Sequence, residues 1–554
     1  MKRRSFYRRF RLFRVWCRSL GRPRIFLGIL IFAVAAWSHV AVAIHFATNQ
    51  PDDGRLYVQL ARNLIEQSVF SGDAQSPFQP TLIRLPGYPV FLASVYELTG
   101  IGNDAAVRTA QGILYTVTCV FIALIAFGMT SERKQKCRAG FFAFVFSAFC
   151  PAMAIYSATL LPETLTMFFL SASVLAAVYA LSARSAKSSK IWWFFAGLLS
   201  GISVLVRPDA GLFAFGIGLT LSVSVFWGKE KVSGRIIDRF FKGIVFVAAF
   251  TLPLVPWTVR NERQFGIFQP LAPAHAEMPG EFVPHGYYLW LRTWIDDSKF
   301  IGPMLWDFES KPIKLEDIPA SAFASDDEHS RIAGLIAQYN NSDPDHPLEP
   351  PKRPDEAAPN ETDKSSGDPG SDETADNEAG NNDSETMVET EWNLKITPDV
   401  DAAFDQIAHE RIGREPWRFY IGLPAKRGAA MWFDTHSDYY PFAGELFPLK
   451  DLDENNYQHI WLPLFAGLTV LYTVLAIVGI CTLLIGGRRT WIWLFLILFI
   501  SVPRIIYFGT LENPEPRYLV ELFVPASILA GLVLAQLRFR RDRGSVGIEL
   551  KVWK

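Results

Sequence analysis

The sequence predicts an all-α polytopic membrane protein with about ten transmembrane helices, interfacial helices and a large non-cytoplasmic loop. Two observations predict this fold class. Apolar runs long enough to cross a bilayer recur through the 554-residue chain, half of which is hydrophobic. The net charge is only −1, but the charges are strongly sorted, with basic residues concentrated in short loops between the apolar runs.

The basic loops test the predicted spans, because cytoplasmic loops of membrane proteins are rich in Lys and Arg. Basic segments occupy residues 1–24, 132–138, 183–190, 228–235, 487–489 and 538–543. All six fall on one side if each predicted span crosses once, which places both termini in the cytoplasm and the chain in the cell (inner) membrane. The spans are 25–47, 106–129, 139–158, 163–182, 191–206, 209–227, 240–257, 460–486, 491–508 and 518–537.

The predicted organisation follows from these spans. A basic cytoplasmic arm, 1–24, precedes a transmembrane core, 25–270, whose first non-cytoplasmic loop is 48–105. A large non-cytoplasmic loop, 271–459, leads to the C-terminal transmembrane helices, 460–537, and a cytoplasmic tail, 538–554. The arm and first apolar run could be a signal peptide, with AVA at 41–43 as a weak cleavage site. The length of the run favours an uncleaved span instead.

Two helices in the first loop are predicted to lie along the membrane rather than across it. GRLYVQLARNLIEQ, 54–67, places apolar residues on one helical face, which is typical of a helix on the membrane surface. RLPGYPVFLASVYELTG, 84–100, is too short for a span and predicts a second interfacial or re-entrant helix.

The acidic segment 343–391 has a composition typical of disorder. It holds 16 acidic and three basic residues with few large apolar side chains, so it cannot bury enough surface to offset the entropy of ordering. The five cysteines show no disulfide or zinc spacing. No nucleotide-binding loop or nucleic-acid module occurs in a fitting context.

Asp52 and Asp53 follow the first predicted span directly and open the predicted surface helix. One interpretation is a helix N-cap, because an aspartate there satisfies free backbone amides. The other is a general base at the membrane edge, which would take a proton from the hydroxyl of an acceptor substrate as that oxygen attacks a sugar carbon.

Arginines gather at the same predicted face. Each could extend its charge to the interface from an apolar stem. As a group they depart from the positive-inside trend, and charges held at membrane depth often mark a substrate path. Guanidinium groups bind phosphate oxygens well, which suggests a lipid-linked phosphate. These residues are Arg84, Arg207, Arg260, Arg504 and Arg517.

Other polar residues lie beside these arginines. Glu163 could be a first-turn carboxylate of a helix, or it could orient a hydroxyl or a metal. Asn261 follows Arg260, and Tyr518 follows Arg517. Tyr88 lies in the Pro-Gly-Tyr-Pro turn that starts the second interfacial helix.

Five segments in this order resemble the GT-C membrane glycosyltransferases, and more narrowly the family-39-like group. That group includes protein O-mannosyltransferases, lipid-A aminoarabinose transferases and lipopolysaccharide-core galacturonosyltransferases. The segments are DDGRLYVQLARNLIEQSVFS with RLPGYPVFLASVYELTG, then LLPETLTMFFL, GLLSGISVLVRPDAGL, LPLVPWTVRNERQFGIF and PRYLVELFVP. The resemblance covers 25–270 and 500–535.

The resemblance implies inverting transfer of a sugar from a polyprenyl-phosphate donor to a lipid, glycan or protein acceptor on the non-cytoplasmic face. Asp53, four residues before Tyr57, is the implied general base, with Asp52 as its neighbour. Arg207, Arg260 and Arg517 are the implied phosphate ligands, and Arg84, Tyr88, Glu163, Asn261 and Tyr518 complete the expected binding site. No cofactor is certain, and a divalent cation, Mg or Mn, held by Asp52 and Glu163 is an open alternative.

Two other functions remain open at this point. A transporter or lipid-glycan flippase would show paired broken spans with charges near the membrane midplane. A scaffold that recruits partners through the acidic loop would not need arginines beside two aspartates. We see no internal repeat, and the charges gather at one boundary, which favours the transferase.

Overall fold

The structure is a computed structural model that describes residues 22–45, 52–227, 231–343, 394–433, 456–542 and 545–550. The basic arm up to residue 21 and almost all of the predicted acidic segment 343–391 lie outside the described residues. Within them the chain is nearly all helical, as the sequence predicts.

The helices of the first half follow the apolar runs. They are α1 (Arg22–His45), α2 (Asp52–Glu66), α3 (Gly87–Thr99), α4 (Asp104–Met129), α5 (Arg133–Ala148), α6 (Pro151–Ala158), α7 (Glu163–Leu181), α8 (Ala186–Val206), α9 (Gly211–Val223), α10 (Val232–Thr251) and α11 (Leu254–Phe265).

The second half contains shorter helices and the last apolar ones. They are α12 (His285–Arg292), α13 (Asp326–Asn340), α14 (Pro398–Arg414), α15 (Leu423–Phe433), α16 (Asn456–Ile485), α17 (Trp491–Gly509) and α18 (Phe523–Gln536). A 3₁₀ segment, Pro516–Leu522, joins α17 to α18. In the predicted tail, strands β1 (Leu537–Asp542) and β2 (Ser545–Leu550) form an antiparallel hairpin, which the all-α prediction did not include.

The predicted multi-pass membrane architecture is confirmed. Seven helices of the described chain are long and apolar enough to cross a membrane, and two bent helix pairs bring the number to nine. The apolar part of α1, Leu30–His45, is shorter. The seven helices, the two bent pairs and the apolar part of α1 coincide with the ten predicted spans.

Prolines explain the two bent pairs. Between α5 and α6 the axis turns by 52°, and Pro151 is the first residue of α6. Between α10 and α11 it turns by 49°, and Pro253 directly precedes α11. Proline lacks the backbone donor that would continue the preceding helix, so each bend falls where the sequence removes a hydrogen bond.

The described residues form two compact units. The first comprises the apolar helices and lies within residues 1–283, 296–299 and 417–554. The second, Pro284–Ile295 with Phe300–Pro416, falls inside the predicted large loop. Its core is aromatic: Tyr287 and Trp290 pack on Phe404, and Phe308 stacks on Tyr339. A buried ion pair between Arg411 and Glu328 adds to this core.

Helices α2 and α3 pack against each other, and neither is long enough to span a membrane. Leu60 and Ala61 on α2 are fully buried, whereas Arg62 is exposed, so the helix is amphipathic as its sequence predicts. Tyr88 and Leu92 of α3 are also fully buried. The pair therefore forms a short helical layer that carries Asp53 at its start.

Helix α9 packs against α17 through a glycine. A Cβ atom at Gly216 would collide with the Phe499 backbone, with the carbonyl carbon at 2.6 Å and the oxygen closer still. Gly218 on the same helix has ordinary space, because its nearest neighbour would be a Phe246 ring carbon at 3.7 Å. The close approach of the two helices therefore depends on the missing side chain at 216.

We predict that Gly216→Ala destabilises the protein by about 1–3 kcal/mol, because backbone atoms of α17 cannot move aside as a side chain could. Gly218→Ala is the matched control and should leave the thermal midpoint unchanged or slightly higher. The measurement is thermal unfolding of the full chain in detergent, in which the fraction of protein that stays monodisperse is recorded at each temperature. Equal midpoints for the two variants would contradict the packing argument.

Candidate active site

Asp53 lies between two arginines from distant parts of the chain. Arg84 Nη2 donates to Asp53 Oδ1 at 2.8 Å, and Arg517 Nη2 donates to Asp53 Oδ2 at 2.9 Å. We call these three residues the outer cluster. Their side chains are 12–25% exposed, so the cluster is accessible from one side. Two guanidinium groups and one carboxylate give these three side chains a formal charge of +1.

The local fold explains why these residues meet. Asp53 occupies the first turn of α2, where a carboxylate interacts favourably with the helix dipole. Arg84 precedes α3, and its Nη1 donates to the Ile83 carbonyl at 3.2 Å. Gly87 lets the start of α3 approach α8, because a Cβ atom there would lie 2.6 Å from the Leu205 carbonyl oxygen. The close approach brings the turn that carries Arg84 next to the end of α8.

The surroundings of Asp53 favour its charged form. Burial opposes ionisation, but the charges of Arg517 and Arg84 outweigh it and hold the pKa of the Asp53 carboxyl well below its usual range. Burial, together with the charge of Asp53, raises the pKa of Tyr57 to about 12. A raised pKa favours the protonated phenol of Tyr57.

Five buried charged residues form an inner cluster: Glu163, Arg207, Asp209, Arg504 and Glu521. Arg207 donates to Glu163 Oε1 at 2.6 Å and to Asp209 Oδ1 at 3.0 Å. Its Nη1 also lies 3.7 Å from Glu521 Oε1. Three carboxylates and two guanidinium groups give this cluster a formal net charge of −1, opposite to the outer cluster.

Arg504 completes the inner cluster and is fully buried. Its Nη1 lies 2.6 Å from Asp209 Oδ2, and its Nη2 donates to Glu521 Oε2 at 2.8 Å. Its Nε donates to the Tyr518 carbonyl at 2.7 Å. Arg504 thus fixes the Pro516–Leu522 segment at two points, and this segment carries Arg517 to Asp53.

Tyr518 lies between the two clusters. Its ring packs under the guanidinium groups of Arg517 and Arg207, at 5.2 and 5.7 Å, and stacks on Phe508. Cation–π contacts of this kind help to hold arginines in place. The Tyr518 hydroxyl also accepts a hydrogen bond from Asn513 Nδ2 at 3.1 Å. That Tyr518 binds substrate stays a prediction.

Arg260 lies on α11, outside both clusters. Its Nη1 donates to the Thr81 carbonyl at 2.8 Å and to Asn261 Oδ1 at 3.0 Å. Its guanidinium lies 5.0 Å from the centre of the Trp257 ring. Asn261 is fully buried and donates to the Gln269 carbonyl at 2.8 Å. Arg260 and Arg84 therefore both bond to the chain between residues 81 and 83.

Tyr88 lies in the interior. It is fully buried, and its hydroxyl donates to Gln111 Oε1 at 2.8 Å. Gln111 in turn donates to the carbonyls of Ser157 and Thr159, just before Glu163. The contacts of Tyr88 with described residues therefore support the turn that positions Glu163.

The sequence alone singled out neither Asp209 nor Glu521 as a site residue, and it grouped Arg504 only with the membrane-edge arginines. Each acidic residue had a visible signal: Asp209 follows Arg207 by two residues, and Glu521 is an isolated carboxylate in the apolar run PRYLVELFVP. A charge inside an apolar run needs a partner. The partner itself could not be read from spacing.

The possible divalent cation remains a prediction. No group of three His, Cys, Asp or Glu side chains in the described part of the chain is arranged to hold an ion. Glu163 Oε1 is bonded to Arg207 instead. The side chain of Asp52 lies outside the described residues, so its predicted role beside Asp53 stays a prediction as well.

Comparison with known proteins matches one segment of the chain to a family. Residues 79–257, less than half of the chain, match the family described as dolichyl-phosphate-mannose-protein mannosyltransferase. The matched segment contains Arg84, Glu163 and Arg207, but it does not include Asp53, Arg260 or Arg517. Comparison with proteins of curated function gives no significant match.

Two crystal structures of ArnT from Cupriavidus metallidurans, one apo and one bound to undecaprenyl phosphate, share 14% sequence identity with the chain. The alignments cover 92% and 91% of this chain and 78% and 77% of ArnT, with TM-scores of 0.35 and 0.37. TM-scores this low carry no argument about function. The family match confirms the resemblance to the protein mannosyltransferases over residues 79–257 and, with the apolar helices, supports a multi-pass membrane glycosyltransferase.

Proposed function

We propose that this protein transfers a sugar from a polyprenyl-phosphate donor to an acceptor on the non-cytoplasmic face of the cell membrane. The observation that carries the proposal is the outer cluster. In it a carboxylate at the start of a helix too short to span the membrane lies between two arginines whose side chains are 25% and 12% exposed. Such a cluster offers a base for the acceptor and cations for the donor phosphate. The family match supports the same reaction class.

In the proposed reaction the acceptor oxygen attacks the anomeric carbon of the sugar from the side opposite the phosphate. Asp53 takes the hydroxyl proton as the new bond forms. The bond between the anomeric carbon and the phosphate oxygen breaks, and its electron pair stays with the phosphate. Because the attack and the departure occur on opposite sides, the anomeric configuration is inverted.

The phosphate leaves as an anion, so cations at its oxygens stabilise the transition state. We assign this role first to Arg84 and Arg517, because their side chains are partly accessible and already bind a carboxylate. Arg260 borders the same stretch of chain and stays a proposed phosphate ligand. Arg207 is paired with Glu163 and Asp209 in the interior, so we assign it to the support of the site.

The remaining assignments depend on this reaction. Tyr518 and Asn261 would hold the arginines in position, and Glu163 would be oriented by Arg207 towards the bound sugar or acceptor. Both termini would be cytoplasmic, as the basic loops predict. No step requires a metal ion, and a divalent cation held with the help of Asp52 stays an untested addition.

Asp53→Asn should abolish sugar transfer while the protein still inserts and folds, because the amide cannot accept the hydroxyl proton. The expected loss of rate is about 100-fold or more. The measurement is transfer from a panel of polyprenyl-phosphate sugars to acceptor, scored by release of free polyprenyl phosphate. Glu66→Gln, an exposed carboxylate at the other end of the same helix, is the matched control and should keep full activity. Full activity of Asp53→Asn would remove the assigned base.

Arg84→Ala and Arg517→Ala should each lower the rate of polyprenyl phosphate release by about 100-fold, since each removes a cation from the leaving phosphate. Arg62→Ala, which removes an exposed arginine from α2, is the matched control. Steady-state kinetics with varied donor gives kcat and KM. A folded Arg84 or Arg517 variant with unchanged constants would exclude that arginine from the phosphate site.

The donor panel also separates the transferase from the flippase. A flippase would bind the lipid-linked sugar and leave its sugar–phosphate bond intact. Release of free polyprenyl phosphate from at least one donor is therefore the result that the transferase proposal requires. Binding without release for every donor and acceptor would favour the flippase.

A further inference from the structure

We propose that the donor phosphate itself frees Asp53 to act as a base, by taking over the two arginines that hold both of its carboxylate oxygens. This inference rests on the proposed function and adds a mode of regulation to the same site. The starting observation is that neither Asp53 oxygen is without a cation: Arg84 occupies Oδ1 and Arg517 occupies Oδ2. A carboxylate bound in this way is a poor proton acceptor.

Geometry and electrostatics agree on the resting state. Charge-assisted hydrogen bonds at 2.8 and 2.9 Å stabilise the ionised carboxylate and oppose its protonation. The charges of the same two arginines lower the pKa of the Asp53 carboxyl, although burial alone would raise it. An efficient base needs a pKa nearer to the working pH. In the resting arrangement Asp53 therefore stays ionised, and its carboxylate is a weak base.

A phosphate group is the natural competitor for these arginines. It presents several oxygens, and guanidinium groups bind phosphate in the same planar, bidentate way as carboxylate. Two guanidinium groups converge on Asp53, so a phosphate that reaches them finds two cations close together. The partial exposure of all three side chains leaves a route for it.

The inner cluster shows why the exchange would be confined to the outer one. The side chains of Arg504 and Glu521 are fully buried, and those of Arg207 and Glu163 are nearly so. A phosphate has no access to the pair of Arg504 and Glu521. Arg207 is 9% exposed, close to the 12% of Arg517, but three carboxylates of the inner cluster lie within 4 Å of it and compete with any phosphate. The inner cluster also fixes the Pro516–Leu522 segment through Arg504, so Arg517 can change partner while its backbone stays in place.

The exchange would also reset the site after each turnover. With the arginines on the phosphate, Asp53 accepts the acceptor proton as the sugar moves to the acceptor oxygen and the electron pair moves to the phosphate. When polyprenyl phosphate departs, Arg84 and Arg517 return to Asp53. Their charges again favour the carboxylate, and the proton is released to water. Donor binding would thus precede deprotonation of the acceptor.

The test uses the full chain in lipid nanodiscs, with polyprenyl monophosphate as the probe and no acceptor. If Asp53 and phosphate compete for the arginines, removing the carboxylate must tighten phosphate binding, whereas removing an arginine must weaken it. We expect Asp53→Asn to lower the Kd for polyprenyl phosphate about tenfold, within the usual range for coupled sites. Arg84→Ala should raise the Kd.

Two controls isolate the competition. Glu66→Gln removes an equal charge from the same helix without touching the arginines and should leave the Kd unchanged. Asp53→Ser, a smaller neutral side chain, should tighten binding like Asp53→Asn, and it provides a second folded variant if the first aggregates. An unchanged or weaker affinity in the folded Asp53 variants would overturn the proposal, and so would equal tightening in Glu66→Gln.

Measuring transfer and phosphate affinity together distinguishes failure of the exchange from failure of the proposed function. Transfer activity lost in Asp53→Asn with unchanged phosphate affinity would leave the base in place and overturn the exchange. Tighter phosphate binding in a variant that retains transfer would remove Asp53 as the base, and the exchange would fall with it. Loss of transfer together with tighter binding is the combination that the exchange requires.

Discussion

Pairing of buried arginines is the constraint on which the site depends. A guanidinium at the edge of an apolar bundle stays charged, so each one needs carboxylate or carbonyl partners. Arg504 meets this need with Asp209, Glu521 and the Tyr518 carbonyl, and Arg207 meets it with Glu163 and Asp209. These bonds join the ends of α7, α8, α17 and α18. The helix packing and the position of the site are therefore determined by the same interactions.

The inner and outer clusters carry formal charges of opposite sign. The inner cluster is buried and formally negative, and the outer cluster is accessible and positive. The proposed donor phosphate would therefore meet the outer cluster first. Tyr518 lies between the clusters and contacts a guanidinium from each.

Much of the fold could be predicted from the sequence, because span length, loop charge and helical periodicity are local properties. The predicted surface helix that begins near Asp53 appears as α2, and the turn at Pro86 starts α3. The prediction also brought Asp53 and Arg517 to the same face. What spacing could not supply was the choice of partner. Nothing local distinguishes Arg207, which is bound in the interior, from Arg517, which reaches Asp53, since each lies beside a proline.

The pair of Asp53 and Arg517 joins residues that are 464 positions apart. Asp53 is translated long before Arg517, which lies in the segment directly before α18. A nascent chain with its first helices already in the bilayer therefore lacks one of the two cations of the outer cluster. The outer cluster is complete only once residue 517 has been synthesised, so at every earlier stage Arg84 is the one arginine of the cluster available to Asp53.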